Sequence, residues 1–246
     1  MEYDQLLDLV KKRRSLRRFK PDPIPDKVVQ KIIEVARWAP SGFNMQPWEY
    51  VVVTDTDLRD QITSFMTSYW QQSQELEKAR EDWQGAKWKL TGLKSAEQDY
   101  KIAPVFIILY GDPRTQAGLP MGVRYMPHRT NIIHTTSLGN AFLYMHLAAT
   151  SLGLASQWVS AIQVPHVNCM TKNLLNIPHH MEVFDMMALG YPAIKPREKY
   201  MRERDEMVHF NVCDPDDFRT DEQVRAFVKK ARSWNMGTHS RKADQD

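Results

Sequence analysis

The sequence predicts a single α+β domain in which helices outnumber strands. Two segments, 28–36 and 129–152, repeat apolar residues at helical spacing. Two short apolar runs, 105–110 and 183–190, have the length of buried strands, and the first is bounded by Pro104 and Gly111. The 246 residues contain no internal repeat, low-complexity stretch or linker, and this length suits one sizeable domain.

Taken in order, residues 3–10 form a short amphipathic helix with Leu6, Leu7 and Val10 on one face. A basic stretch follows, and Pro21, Pro23 and Pro25 then hold the chain extended. Asp26 is expected to N-cap a helix with the stripe Val28, Val29, Ile32, Ile33 and Ala36. That helix should stop at Ala39-Pro40, where proline forbids continuation. A loop over 41–47 leads into a strand over 48–54, and 58–100 has the pattern of a charged helix dotted with Trp70, Trp83 and Trp88. Beyond the 105–110 strand, the helix over 129–152 carries Ile133, Leu138, Ala141, Phe142, Met145, Ala148, Ala149 and Leu152 on more than one face, as a central or interfacial helix would. Gly153 caps it, strands at 155–162 and 183–190 follow, and a helix over 221–233 precedes a polar tail.

Composition narrows the function classes. With 42% hydrophobic and 26% charged residues and a net charge of +3, nothing calls for a nucleic-acid or membrane partner. Cys169 and Cys213 form no CxxC pair, which fits a reducing compartment. The start of the chain lacks a basic and then apolar leader, and the apolar runs are too short to span a bilayer, so a cytoplasmic protein is expected. The eight histidines lack the i, i+4 pairing of helical metal ligands, so no metal is expected. No GxGxxG, GxxxxGK[ST] or GxSxG pattern occurs. Seven Trp and thirteen Met suit a pocket for a planar ligand and equally suit a packed core.

Two short segments carry chemistry. Arg13-Arg14-Ser15-Leu16-Arg17 gathers guanidinium forks and a hydroxyl at an element end, as a phosphate site requires, although a basic run also serves as a solvated face. The segment Ala39-Pro40-Ser41-Gly42-Phe43-Asn44-Met45-Gln46-Pro47-Trp48 is a helix stop followed by a loop dense in donors and acceptors. It suits the polar edge of a heteroaromatic ring or a ribityl chain, or else a turn closed by its own side chains.

Together these segments resemble the nitroreductase family of flavoproteins. The resemblance continues through Leu152-Gly153-Leu154-Ala155-Ser156-Gln157-Trp158-Val159 and Ala188-Leu189-Gly190-Tyr191-Pro192-Ala193, four motifs in the family's order. It implies one α+β domain with a central, mostly antiparallel sheet flanked by helices, assembled as an intertwined homodimer. In that frame 65–103 is a lid-like insertion and 214–246 a C-terminal extension. FMN would lie between subunits, its phosphate and ribityl chain held by Arg13, Arg14, Ser15 and Arg17. Pro40, Ser41, Gly42 and Asn44 would reach it from the other subunit, and Gln157, Trp158, Val159 and Ser160 would lie beside the reactive edge of the ring. Arg202 or Arg204, ahead of Val208-His209, corresponds to the family's late basic residue, and both remain open for the phosphate.

Ser160 stands where many relatives have glycine. In the resembling halotyrosine deiodinases a hydroxyl near this point hydrogen-bonds flavin N5, so Ser160 is expected to tune the flavin toward single-electron chemistry. The alternative is that Ser160 points into the sheet and only its backbone N–H meets N5. The lid offers Tyr69, Trp70, Trp83 and Trp88 to sandwich a small planar substrate, and Lys87 to meet a carboxylate or nitro oxygen. The same aromatics would equally pack down as a surface helical pair. The resemblance implies an NADH- or NADPH-dependent reductase of nitroaromatic, quinone-like or other electron-poor planar compounds working by ping-pong transfer. A reductive dehalogenase, a flavin-consuming cobalamin-ligand synthase and a non-enzymatic flavin-binding protein are the alternatives.

Overall fold

A computed structural model of the chain describes residues 2–78, 100–196 and 198–235. The elements run α1 (Tyr3–Lys12), β1 (Phe19–Lys20), α2 (Asp26–Ala36), β2 (Trp48–Val53), α3 (Thr56–Lys78), β3 (Val105–Gly111), α4 (Met121–Arg124), α5 (Pro127–Ser151), β4 (Ala155–Val159), α6 (Pro165–Leu175), β5 (Glu182–Pro192) and α7 (Asp221–Asn235). The strands form one antiparallel sheet. β5 is its hub, paired with β3, with β4 and, at its end, with β1, while β2 flanks β3.

β3 is buried at every position because helices cover both faces of the sheet. Val105, Ile107 and Leu109 point into one layer, packed with Val29 and Ile32 of α2 and Leu138, Phe142 and Met145 of α5. Phe106, Ile108 and Tyr110 point the other way, into a layer with Ile62 and Met66 of α3 and Val167 of α6. The strand period of two thus divides one apolar run between two cores, which is why it shows no polar alternation. Arg59 of α3, buried, donates to the Ala103 carbonyl at 2.6 Å and fixes that helix to the approach of β3.

Local chemistry explains the boundaries. α5 closes on Gly153 at φ +73°, where Leu154 N–H reaches back to the Ala149 carbonyl at 2.9 Å. At Gly190 a Cβ would lie 2.9 Å from the Phe19 ring and 3.0 Å from Pro104, so glycine lets β1 close on β5. Some expectations are corrected. Asp26 is the first helical residue, with Pro25 in the cap position, because proline supplies the extended dihedrals there and has no N–H to satisfy. Regular α2 ends at Ala36, three residues before Ala39, in a turn that leads to Pro40. The fourth strand ends at Val159, and a 3-10 turn over Ser160–Gln163 replaces its expected second half. α6 was not expected; its start at Pro165 is a good first helical position, and its stripe is short. Tyr100–Ile102 is a 3-10 turn rather than the end of a long helix. No helix among the described residues is long and apolar enough to cross a membrane.

Candidate functional site

The basic turn begins where α1 ends. Arg13 caps the helix, its N–H donating to the Leu9 carbonyl at 3.0 Å while its extended dihedrals redirect the chain. Ser15 then forms a parallel bridge with Ser156, and Leu16 N–H donates to the Ser156 carbonyl at 3.1 Å. The arginine turn is thereby stitched alongside the strand that holds Gln157, Trp158 and Val159. Ser15 and Arg17 are exposed, whereas Arg13 and Arg14 are half-buried. Arg14 folds back onto the carbonyls of Lys11 and Arg13. Burial, and secondarily the charge of Arg14, lowers the proton affinity of the Arg13 guanidinium. An anion beside it would relieve both effects.

Behind this turn lies a polar and aromatic cluster between α5 and the sheet. His146 is buried, with Nδ1 2.7 Å from the Ser156 hydroxyl and Nε2 without a hydrogen-bond partner among the described residues. Burial, then the nearby Arg13 charge, push its pKa down to about 3, so the ring is neutral. It stacks on the Trp158 indole at 5.7 Å and 13°, and Phe142 packs edge-on to both rings. The Trp158 indole N–H donates to Asp185 Oδ2 at 2.5 Å. Asp185 sits on β5 at 3% exposure. Burial raises its pKa, opposed more weakly by hydrogen bonding to Trp158, Ser160 and Gln163. Sequence pattern singles out neither His146 nor Asp185; the available signal is a lone carboxylate inside the apolar run 183–190.

The strand's four predicted contacts divide by side. Trp158 faces this cluster and stays 41% exposed. Gln157 and Val159 are buried in register with Ala188 and Met186, and the Gln157 Oε1 has no hydrogen-bond partner among the described residues. Ser160 is exposed at the start of the 3-10 turn.

The second motif is docked elsewhere on α5. Gly42 N–H donates to Ser137 Oγ at 3.1 Å, and Asn140 Nδ2 donates to the Pro40 carbonyl at 3.0 Å. A Cβ on Gly42 would lie 2.3 Å from Ile133 Cγ2. Within the loop Ser41 Oγ accepts from Gln46 N–H at 3.1 Å, and Asn44 Oδ1 accepts from Gln46 Nε2 at 3.2 Å. Phe43, Asn44 and Gln46 adopt φ of 53°, 53° and 45°. The α5 residues that fix the loop were not legible as partners in the sequence. On α5, Ser137 and His146 are nine residues apart, about 14 Å along the axis. The two motifs therefore occupy separate stations on one helix.

Of the late basic pair, Arg202 is largely buried, bonding the Glu206 carbonyl and pairing with its carboxylate at 3.6 Å. It lines a pocket of about 370 Å³ with His209, Phe218 and Arg219. Arg204 is exposed beside Asp205. Tyr69 and Trp70 are half-buried against the core layer on the α3 side, the sheet face opposite to His146, and Trp70 Nε1 donates to the Tyr100 hydroxyl at 3.1 Å. Trp83, Lys87 and Trp88 lie outside the described residues. No cluster of three or more metal-ligating side chains occurs among the described residues.

The sequence matches the nitroreductase family over residues 10–191. It is 29% identical over 189 residues to an iodotyrosine deiodinase of Nematostella vectensis, a match covering 75% of this chain and 66% of that protein, just under two thirds of its length. It is 29% identical over 189 residues to a 5,6-dimethylbenzimidazole synthase of Rhodospirillum rubrum, covering 77% of this chain and 82% of that one. The fold superposes with a TM-score of 0.61 on an oxidized iodotyrosine deiodinase bound to FMN and 3-iodo-L-tyrosine, at 25% identity, covering 85% of this chain and all of that one.

Proposed function

Because the chain belongs to the nitroreductase family, we propose that it is an FMN-dependent oxidoreductase that reduces nitroaromatic, quinone-like or other electron-poor planar compounds with NADH or NADPH. The observation that carries this reading is the Ser15–Ser156 bridge, which sets the arginine turn beside the strand of Gln157 and Trp158. The residues suit a flavin phosphate: Arg13 is half-buried without an ion pair among the described residues, and Ser15 and Arg17 are exposed next to it.

FMN, when bound, would supply the reversible redox chemistry. Arg13, Arg14, Ser15 and Arg17 would hold its phosphate and ribityl chain, with Arg202 or Arg204 adding a further positive charge at the phosphate. Which of the two would do so is left open: Arg202 bonds Glu206, and Arg204 is exposed beside Asp205. Gln157, Trp158, Val159 and Ser160 would line the ring, and the Ser160 hydroxyl would tune it toward single-electron steps. Pro40, Ser41, Gly42 and Asn44 would come from a second copy of the chain, consistent with their separate station on α5. Without a GxGxxG segment to bind a dinucleotide, the nicotinamide donor and the acceptor would use one open face in turn.

The purified protein's visible spectrum, recorded anaerobically before and after NADH and NADPH, tests this. Flavin absorbance bleached by one donor and restored by a nitroaromatic supports the reading and names the donor. A protein that neither carries nor takes up FMN overturns it. A reductive dehalogenase is the second reading, favoured by the relative in Nematostella vectensis. Iodide released from 3-iodo-L-tyrosine under reducing conditions, without nitroaromatic turnover, would select it.

A further inference from the structure

The pocket of about 370 Å³ beside Arg202 is built by residues 202–224, beyond the family match at 10–191, and the flavin reading touches it only through Arg202. Its lining combines two guanidiniums, Arg202 and Arg219, with the rings of His209 and Phe218. Glu206 is the one carboxylate in that lining and is already paired with Arg202 at 3.6 Å. Arg219 has no ion pair among the described residues, and its buried Nη1 has no hydrogen-bond partner there. Its charge lies over the Phe227 ring of α7 at 5.2 Å, and Phe227 stacks with Tyr200 at 5.8 Å, so the guanidinium is held in place. The His209 and Phe218 rings stack on each other at 4.7 Å and 28°. A planar fork of N–H donors with its charge unmet suits a phosphate. The volume, at the low end of the roughly 300–1,000 Å³ of small-molecule pockets, leaves room for a group attached to that phosphate.

We propose that this pocket takes a ribose phosphate together with its base, and that the ligand is the adenosine 2′-phosphate end of NADPH. The naming of the donor rests on the flavin reductase reading above. Arg219 meets the phosphate, and the His209–Phe218 pair offers a ring face to the adenine. The flavin's own phosphate suits the pocket less well. A ribityl chain separates it from the flavin ring, whereas the 2′-phosphate and the adenine of NADPH share one ribose. NADH carries a hydroxyl at that position and gives Arg219 no charge to meet. The pocket thereby selects NADPH as the electron donor.

The test titrates the flavin-free full chain with adenosine 2′,5′-bisphosphate and with adenosine 5′-monophosphate by calorimetry. Wild type should bind the bisphosphate more tightly, and Arg219→Gln should weaken it roughly tenfold or more while moving the monophosphate little. Arg219→Lys, which keeps the charge without the fork, should fall between the two and guards against a variant whose C-terminal segment is misfolded. In the FMN-bound protein, the preference for NADPH over NADH in kcat/KM should drop by a similar factor in Arg219→Gln, through the KM for NADPH. Equal binding of the two probes by wild type, or bisphosphate binding unchanged in Arg219→Gln, overturns the proposal. So does a variant that weakens FMN and leaves the bisphosphate alone, since the pocket would then serve the flavin phosphate. A wild type that binds the bisphosphate through Arg219 but takes up no FMN keeps the pocket and sinks the flavin reading.

Discussion

Two buried residues in the β4–β5 region respond to acid in opposite directions. His146 has a folded pKa far below its ordinary value. Its contribution is therefore fully present above the unfolded value and is lost as pH falls from about 6.5 toward about 3, because the unfolded chain takes up a proton that the folded ring excludes. Denaturant unfolding at pH 7 and pH 4.5 should show wild type losing roughly 2–3 kcal/mol more than His146→Gln between the two. Asp185 is raised by burial, so its contribution has the other sign: it is favourable below the unfolded carboxylate value and is lost as pH rises through the folded one. Asp185→Asn should accordingly match or exceed wild-type stability at pH 7 and lose that advantage near pH 4. Arg13 acts through a ligand rather than through stability. Removing a charge-assisted contact costs about 1.5–3 kcal/mol, so Arg13→Ala should weaken FMN binding on the order of tenfold to a hundredfold by fluorescence titration.

At the scale of elements, α5 organises the site. It receives the Pro40–Gln46 loop at Ile133, Ser137 and Asn140, and it places His146 behind the arginine turn. The loop gains a fixed shape at the expense of three non-glycine residues with positive φ, a conformation that surrounding contacts must hold. Gly42 is the closest of these contacts. Gly42→Ala should force the loop off Ile133 and destabilise the protein by about 1–3 kcal/mol in thermal melts. If the loop serves a partner's flavin, the same variant should also weaken FMN binding. A variant that melts like wild type and binds FMN normally would show that the loop can yield without consequence.

For the whole molecule, a sheet covered on both faces concentrates stability in β3 and β5. Ile107→Ala, at the centre of the α2–α5 core layer, should cost about 2–5 kcal/mol by denaturant titration. Tyr3, Trp38, Phe43, Tyr125 and Ile132 are large apolar side chains left exposed on or near α1, α2 and α5. The proposed homodimer predicts a sedimentation mass twice that of the chain, and FMN affinity that falls on dilution below the dimerisation constant. A monomer that binds FMN at full strength would contradict the assignment of the Ser41–Asn44 contacts to a second copy.

The sequence by itself determined the α+β class, the long helix of α5, the apolar strand β3 and the order of the four motifs, because each rests on local periodicity or on a proline or glycine with few conformations open to it. Gly153 and Gly190 were legible as motif members, although only packing shows that Gly190 admits Phe19. What tertiary structure decided is pairing. The Ser15–Ser156 bridge joins residues separated by most of the chain, and Asp185 meets Trp158 only because β4 and β5 lie side by side. The turn at Ser160 likewise escaped a reading that continued the strand, since its residues carry no proline or glycine to mark the break. Local spacing specifies the elements, whereas burial, hydrogen-bond satisfaction and the charge state of a side chain depend on neighbours supplied by distant segments.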